Sequence, residues 1–228
     1  MTERVIQILI SAFPKLLLYC VKVTVPLTVI VFILSIVIAL GTALVQIYNV
    51  KVLDRVARFY IWLFRGTPLI VQLYIIFFGL PSLGIMLNAY VSAVIAFSLN
   101  YAAYNSETIR AAILAVPEGQ TEAGYMIGLN RFQIMTRIVL PQATRIAFPT
   151  LMGSLIGLTK DSSLAASITV VEMFKTAQQI AASTYEPFAL YCEAAFIYLL
   201  LCSLLTIVQN RLEKKLDWKK PEVSNAAA

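Results

Sequence analysis

Two long runs without a charged residue constrain this chain more than any other feature of its sequence. The first covers the 28 residues from Val23 to Val50, and the second covers the 41 residues from Gly66 to Ser106. The hydrocarbon core of a bilayer is about 30 Å thick, so roughly 20 helical residues can cross it. With 60% hydrophobic and only 13% charged residues, the chain is predicted to be an all-α integral membrane protein. A soluble enzyme, a secreted disulfide scaffold and a disordered tail are excluded.

Five transmembrane helices are predicted from the apolar segments and the polar stretches that end them. The spans run from about Thr24 to Gln46, Thr67 to Gly79, Ile85 to Ile109, Pro141 or Ile146 to Val171, and Phe188 to Gln209. The fourth span is predicted to carry Lys160 and Asp161 inside it, because the 14 residues between Arg145 and Lys160 give only about 21 Å of helix.

Two terminal segments flank this transmembrane domain, which is assigned to residues 21–217. Residues 1–20 form an amphipathic segment, and the helical spacing of its apolar residues beside two basic ones predicts an interfacial helix over residues 3–19, not a removed signal peptide. Residues 218–228 are assigned to a C-terminal tail.

The distribution of basic residues predicts the orientation of the chain. Thirteen of the 18 Lys and Arg residues fall in the loops after the first and third spans and in the C-terminal tail segment, and five fall on the opposite side or inside the membrane. Loops rich in basic residues lie on the cytoplasmic side of a membrane protein. We therefore expect a multi-pass protein of the cytoplasmic membrane with its N-terminus outside and its C-terminus in the cytoplasm.

The sequence offers no usual metal ligands in a suitable pattern, and its basic residues have a different role from binding nucleic acid. The chain has no histidine, and Cys20, Cys192 and Cys202 lie far apart in apolar segments, so neither a metal site nor thiolate–imidazole catalysis is expected. The net charge of +6 comes from Lys and Arg residues. In so apolar a chain, these residues are expected to set the orientation in the membrane rather than to bind nucleic acid. The surroundings of this chain are therefore predicted to be membrane lipid, with no nucleic-acid partner.

A spaced motif occupies the predicted cytoplasmic loop at residues 117–141. Glu122-Ala123-Gly124 is followed after three residues by Gly128, and after nine more by Ile138-Val139-Leu140-Pro141. This order resembles the signature of the permease subunits of bacterial ATP-driven (ABC) importers, with Gly124 where that signature has a second alanine. A short helix that ends in a glycine turn can sit in a cleft of a cytoplasmic partner and pass its motion to the spans.

The resemblance implies that residues 118–130 form the coupling helix, which docks on an ATPase subunit. A solvated interfacial helix without a partner is the alternative. Gly128 is expected to end this helix with a positive φ, and Pro141 is expected to open the next helix. The residues assigned to docking are Glu118, Gly119, Glu122, Ala123, Gly124, Met126, Ile127, Gly128, Leu129, Ile138, Leu140 and Pro141.

Further motifs resemble the polar amino acid uptake family of these permeases. They are Arg65 to Gln72, Phe78 to Pro81, Ala102 to Tyr104 with Glu107 and Arg110, and Val116 to Gln120, and the resemblance covers about residues 15–217. It implies the type I ABC importer permease architecture and the import of a polar amino acid by alternating access. The run from Thr159 to Leu164 looks most like members that handle cystine or a related polar amino acid.

The family resemblance also implies partners that hydropathy does not reveal. These are a second permease subunit, identical or different, two copies of an ABC ATP-binding subunit, and an extracytoplasmic solute-binding protein. ATP and magnesium are expected to bind the ATPase partner. This chain lacks a G-x-x-x-x-G-K-[ST] phosphate loop, so it is expected to bind no cofactor and not to be an enzyme.

Polar side chains within the predicted spans indicate where a solute would pass, since lipid does not tolerate them. Asp161 is predicted to meet the α-ammonium of an amino acid, while hydroxyl groups or Asn100 meet its carboxylate. Lys160 and Asp161 could instead neutralise one another or reach the outer interface. Glu107 is expected to pair with Arg110 one helical turn later. The substrate candidates are Asn100, Tyr104, Lys160, Asp161, Ser162 and Ser163.

Three other functions remain open on the sequence. In an ion-coupled secondary amino acid transporter, Lys160 and Asp161 would form the coupling site and the cytoplasmic motif would be incidental. The chain could also be the ABC permease for another small organic solute, or a membrane scaffold that transports nothing.

Overall fold

A computed structural model describes residues 2–216 of the chain, and within that range the secondary structure is helical throughout, with no β-strand. The C-terminal tail predicted at residues 218–228 lies outside the described residues. The helices pack as one bundle in which the central pair is α2 (Val25–Ile47) and α5 (Ala89–Leu114).

The N-terminal helix α1 (Thr2–Tyr19) continues into α2 without a break. A single π-helical turn, Cys20–Thr24, joins them, so that Glu3–Ile47 form one stretch of 45 residues. At 1.5 Å per residue this stretch is about 67 Å long, more than twice the hydrocarbon thickness. The sequence predicted two separate helices here. The structure corrects that prediction, because the π-helical turn carries the chain from α1 into α2, with Pro26 in the first turn after it.

The contact between α2 and α5 depends on small residues. Ala39 and Ala43 of α2 and Ala102 of α5 are buried, which lets the two backbones approach closely. Nearby, the side-chain amide of Asn105 donates a 3.2 Å hydrogen bond to the Ser35 hydroxyl. This buried polar contact sets the register of the two helices in a setting where apolar burial alone provides little specificity.

The second predicted span has a different course in the structure. Helix α3 (Lys51–Gly66) is followed by a bend of 106° and then by the segment Leu69–Leu83. That segment contains α4 (Leu69–Tyr74), a π turn and a 3₁₀ turn. The predicted start of the second span at Thr67 lies at this bend, where Pro68 separates α3 from α4.

The cytoplasmic motif forms α6 (Glu118–Met126) and α7 (Arg131–Ile134), and a π turn leads from α7 into α8 (Leu140–Asp161). Gly128 has a φ of +82°, as predicted for the residue that reverses the chain after α6. The helix ends at Met126, four residues before the predicted boundary. Pro141 lies in the first turn of α8, as expected.

Helix α8 ends at Asp161, and a 3₁₀ segment, Ser162–Ile168, continues the passage. Lys160 and Asp161 therefore lie where α8 passes into the 3₁₀ segment, inside the passage predicted to run to Val171. Two helices follow: α9 (Met173–Thr184), which the sequence did not predict, and α10 (Pro187–Leu216), which extends beyond the predicted fifth span at both ends.

Two helical stretches of the described chain, Glu3–Ile47 and Pro187–Lys215, are long and apolar enough by themselves to cross a membrane, and the bent pair α3 and Leu69–Leu83 would count as a third. With 26 and 22 residues, α5 and α8 are about 39 Å and 33 Å long and match the bilayer in length. Their polar side chains lower their hydropathy, which indicates that part of each helix faces protein or water.

Candidate functional site

A cavity of about 610 Å³ lies between the α3–α4 break, the middle of α5 and the C-terminal half of α8. This volume falls within the range of about 300–1,000 Å³ that small-molecule sites occupy. Three charged residues line it, one from each of these helices, among hydroxyl and amide groups. The lining residues are Arg65, Thr67, Pro68, Leu69, Asn100, Tyr101, Tyr104, Asn105, Glu107, Thr108, Thr150, Ser154, Gly157 and Asp161.

Asp161 is the acidic residue at the end of α8 in this cavity. The hydroxyl of Tyr101 donates a 2.7 Å hydrogen bond to its Oδ2 atom. In the part of the chain that the structure describes, ion pairs form only between Asp54 and Arg58 and between Glu107 and Arg110. The carboxylate of Asp161 is thus oriented by a neutral donor and is not neutralised by any described cation.

Lys160 lies on a different surface from its neighbour Asp161. Together with Ser163 it lines a second pocket of about 550 Å³, whose other walls include the aromatic side chains Phe174 and Tyr191. Lys160 and Asp161 therefore do not neutralise one another, which was one alternative left open by the sequence. The two side chains can face different pockets because consecutive residues of an α-helix project about 100° apart around its axis.

The two serines that follow Asp161 use their hydroxyl groups locally. Ser162 is buried and donates a 2.8 Å hydrogen bond to the carbonyl of Thr159, and Ser163 donates a 2.7 Å hydrogen bond to the carbonyl of Lys160. These carbonyls lie at the end of α8, where intrahelical partners run out. Neither serine lines the 610 Å³ cavity.

An amide cluster holds the break between α3 and α4. The buried side-chain amide of Gln72 donates to the carbonyl of Phe64 at 2.9 Å and to the hydroxyl of Thr67 at 2.7 Å. The amide of Asn100 donates to Oε1 of Gln72 at 3.0 Å and to the carbonyl of Phe64 at 3.3 Å. A broken helix inside a membrane needs such partners for its released carbonyls. Both N–H groups of Asn100 are thereby used, and only its carbonyl oxygen remains for a ligand.

Tyr104 lies on the same wall as Tyr101, one turn further along α5. The guanidinium carbon of Arg65 lies 5.3 Å from the centroid of its ring, a cation–π contact. Next to it, Glu107 and Arg110 form the ion pair that the sequence predicted, with an N–O distance of 2.9 Å. The structure thus places three of the six substrate candidates in the cavity wall: Asn100, Tyr104 and Asp161.

The second functional surface is the exposed side of α6. Met126 is 89% exposed and Ile127 is 75% exposed, although both are large and apolar. The side chains of Glu118, Glu122 and Ala123 are exposed as well. An apolar pair at a helix end with acidic residues beside it is a surface suited to docking a partner protein rather than to water.

The opposite side of α6 packs tightly on the segment that leads into α8. A Cβ atom added at the buried Gly124 would lie 2.8 Å from Cγ1 of Ile134 and 3.0 Å from Cδ1 of Ile138. Leu129, Ile138 and Leu140 are partly buried, while Pro141 is exposed. Leu129, Ile138 and Leu140 of the predicted docking set therefore connect α6 to the bundle instead of facing outward.

Comparison with known proteins decides the family. The profile of the binding-protein-dependent transport system inner membrane component family matches residues 33–218. The chain belongs to this family. As such an inner membrane component, it is a multi-pass permease subunit of an ABC importer in the cytoplasmic membrane, and it works with a separate ATPase subunit and with a binding protein. It is not itself the ATP-hydrolysing enzyme.

Several relatives of this inner membrane component have names that refer to amino acids. The L-cystine transport system permease protein TcyB of Bacillus subtilis (strain 168) is 48% identical over 195 residues, which are 85% of this chain and 83% of TcyB. The probable amino-acid ABC transporter permease protein PatM of Vibrio harveyi is 39% identical over 186 residues, 80% of this chain and 83% of PatM.

Solved structures of ABC transporters share the fold of this inner membrane component. The crystal structure of an amino acid ABC transporter with histidines matches with a TM-score of 0.80 and 29% identity, covering 94% of this chain and 96% of the other. An inward-facing structure of the MetNI methionine ABC transporter matches with a TM-score of 0.75, 20% identity and coverage of 89% and 96%. The type I importer permease architecture is therefore confirmed.

Sequence reasoning about this inner membrane component missed a buried acid, Glu172. Its side chain is fully buried, and it caps α9 by accepting a 2.7 Å hydrogen bond from the backbone N–H of Lys175. Its other oxygen accepts hydrogen bonds from the hydroxyls of Tyr198 at 3.1 Å and Thr24 at 3.3 Å. The network joins α9, α10 and the turn before α2. A single acid among apolar residues from Val170 to Phe174 was the available signal.

Arg65 was not among the substrate candidates selected from the sequence, which counted it with the cytoplasmic loop. In the structure it lies at the end of α3, next to Phe64, whose carbonyl is bonded to Asn100 in the middle of α5. Arg65 lines the 610 Å³ cavity. The Arg-Gly-Thr-Pro break that positions it was visible in the sequence, but the direction of α3 was not.

Proposed function

We propose that this inner membrane component forms the translocation path for a polar amino acid, with L-cystine as the favoured substrate, and that ATP hydrolysis in its partner drives alternating access. The observation that carries this proposal is the carboxylate of Asp161, which lines the 610 Å³ cavity without a cation partner in the described chain. The 48% identity to an L-cystine permease supports the choice of substrate.

Asp161 meets the α-ammonium of the amino acid in this proposal. A carboxylate in a cavity of low dielectric constant attracts a cation strongly, because few water molecules compete with it. The Tyr101 hydroxyl keeps the carboxylate in place, and the remaining polar groups of the wall, including Tyr104 and the carbonyl of Asn100, contact the rest of the substrate. Lys160, Ser162 and Ser163 act at a distance from the substrate, on the end of α8.

The exposed side of α6 docks on the ATPase subunit. The 89% exposed Met126 and the neighbouring Ile127 enter a cleft of that partner, and Glu118 and Glu122 lie at its rim. Motion of the partner then reaches α8 through the packed contact between Gly124 and Ile134. Two ATPase copies, which carry ATP and magnesium, serve two permease subunits, identical or different, and the solute-binding protein delivers the amino acid from outside.

The proposed orientation has the N-terminus outside and the C-terminus in the cytoplasm. By the sequence-based assignment, 13 of the 18 basic residues fall on the cytoplasmic side. This excess supports the same orientation. It also places α6 in the cytoplasm, where an ATPase subunit can reach it.

Transport by the reconstituted complex tests the proposal. Proteoliposomes that contain this chain, its ATPase subunit and the binding protein are expected to take up L-cystine only when ATP is supplied. Asp161→Asn preserves the shape and can still accept the Tyr101 hydrogen bond. It is expected to lower uptake at least about tenfold, because loss of one charge-assisted contact costs about 1.5–3 kcal/mol.

Asp54→Asn is the matched control, since Asp54 pairs with Arg58 on α3 and does not line the cavity. It is expected to leave uptake within about twofold of the wild type. Uptake driven by an ion gradient without ATP would instead support a secondary transporter. Equal uptake by the Asp161→Asn variant and the wild type would remove Asp161 from the substrate path.

A further inference from the structure

Arg65 has an unusual location for a fully charged residue. It is the second-last residue of α3, at the 106° bend, and the carbonyl of its neighbour Phe64 is bonded to the middle of α5. Among the described residues it forms no ion pair. Its side chain is exposed, so water or an anion can reach the guanidinium. The 610 Å³ cavity that Arg65 lines provides the space for such an anion.

Two tyrosines hold opposite charges on one wall of the cavity. The Tyr101 hydroxyl binds the carboxylate of Asp161 at 2.7 Å, and the Tyr104 ring lies under the guanidinium of Arg65 at 5.3 Å. Side chains three residues apart on a helix are neighbours on one face, with about 5–6 Å between their Cβ atoms. One turn of α5 thus presents an anion and a cation to the same cavity.

The third charged residue of the wall, Glu107, has Arg110 and not Arg65 as its ion-pair partner. Glu107 forms two hydrogen bonds with Arg110, of 2.9 Å and 3.2 Å. Arg65 and Asp161 therefore each lack a partner of opposite charge in the described chain. A zwitterion neutralises both groups at once, whereas a simple amine neutralises only Asp161 and a simple carboxylate only Arg65.

We infer that Arg65 binds the α-carboxylate of the transported amino acid while Asp161 binds its α-ammonium. This inference rests on the proposed function and names the chemical class that the cavity selects, a zwitterionic α-amino acid. Arginine suits this role because its planar guanidinium forms two parallel hydrogen bonds with a carboxylate, and stacking on Tyr104 keeps that plane fixed. Lysine provides the charge without the paired geometry.

Binding of L-cystine and of cystamine, its decarboxylated analogue, tests the inference. Both are measured by equilibrium binding to the purified complex of this chain with its ATPase subunit, in the absence of the binding protein. The wild type is expected to bind L-cystine at least about tenfold more tightly than cystamine. In Arg65→Gln this ratio is expected to fall to within about twofold of one, with cystamine affinity unchanged. Arg65→Lys is expected to give an intermediate ratio.

Arg55→Gln is the control, since this exposed arginine of the same helix does not line the cavity. It is expected to keep the wild-type ratio. A general structural defect in Arg65→Gln would weaken the binding of L-cystine and of cystamine equally and preserve the ratio of the two affinities. That result would overturn the role of Arg65. A wild-type complex that neither binds nor imports L-cystine would contradict the proposed function itself, whereas wild-type import with an unchanged ratio in Arg65→Gln would contradict the carboxylate contact alone.

Discussion

Gly124 illustrates how one residue controls the contact between the docking helix and the bundle. It stands where the signature of the ABC importer permeases has a second alanine, and the sequence alone suggests an exchange of small residues that loosens the helix slightly. In the structure, the side chains of Ile134 and Ile138 occupy the space of the missing methyl group. The glycine here is required for close approach, not for backbone freedom.

Gly124→Ala is expected to lower the stability of the purified chain by about 1–3 kcal/mol, the usual cost of overpacking a filled site. The added Cβ atom would lie 2.8 Å from Cγ1 of Ile134. Because Cγ1 is bonded directly to the Cβ atom of Ile134, a small rotation of that side chain moves it too little to relieve the contact. Thermal unfolding in detergent measures the effect.

Gly119→Ala is the matched control, because it lies in the same helix and a Cβ there meets nothing within 4 Å. Alanine is the better helix former by about 0.5–1 kcal/mol, so this variant is expected to be as stable as the wild type or more stable. Equal stability of the Gly124→Ala and Gly119→Ala variants would show that Ile134 yields without cost.

Single polar residues in apolar surroundings were the part of the site that could be predicted. Asn100, Tyr104 and Asp161 were selected because lipid excludes them, and the structure brings all three to one cavity. Arg65 was missed because it sits beside a polar loop in sequence. Glu172 was missed because its partners, Thr24 and Tyr198, are 148 and 26 residues away.

At the scale of the element, α6 separates into two sides with different tasks. One side packs on the segment before α8 through Gly124, and the other exposes Met126 and Ile127. A change on the exposed side should therefore alter the interaction with the partner while leaving the fold of this chain intact.

Ile127→Asp is expected to weaken co-purification of the ATPase subunit at least about tenfold, because a charge replaces an apolar contact that a docked partner would bury. The unfolding temperature of the isolated chain should stay unchanged, since the side chain is 75% exposed. Titration of tagged permease with ATPase subunit, followed by pull-down, gives the affinity.

Tyr185→Asp provides the comparison. Tyr185 is also highly exposed, and its φ of +59° is one that aspartate tolerates well. In the proposed orientation it lies on the opposite side of the membrane, so ATPase binding should match the wild type. Full ATPase binding by the Ile127→Asp variant would argue that α6 is only a solvated helix.

Helix positions were predicted well where hydropathy changes sharply, and poorly where a helix changes type or direction. The third and fifth spans correspond to α5 and α10. The interruption at Arg65–Pro68 was visible in the sequence, but its angle of 106° and the π turn that fuses α1 with α2 were not predicted. The bend depends on how the released carbonyl of Phe64 finds partners in Gln72 and Asn100.

At the scale of the whole molecule, the orientation of the chain decides which surface each partner reaches. In a variant whose native cysteines are replaced, a new cysteine at Gly119 is expected to react with a membrane-impermeant thiol reagent only after cells are permeabilised. A new cysteine at Tyr185 is expected to react in intact cells. The physical reason is the excess of basic residues on the side that holds α6.

Labelling in the presence of excess detergent controls for access, since both positions are exposed in the structure and should then react equally. The reverse pattern in intact cells, with the cysteine at Gly119 labelled first, would invert the proposed topology. It would also make docking of α6 on a cytoplasmic ATPase impossible.

The sequence by itself determined that the chain is helical and membrane-embedded and that a short segment after the third span ends in a glycine turn, since these depend on local composition, periodicity and spacing. Only the tertiary structure decided that Arg65 and Asp161 share a cavity, that Lys160 turns away from it, and that Gly124 is packed. Those facts depend on helix direction and on contacts between residues far apart in the chain, which hydrophobic patterning leaves undetermined because a lipid-facing helix is apolar on every side.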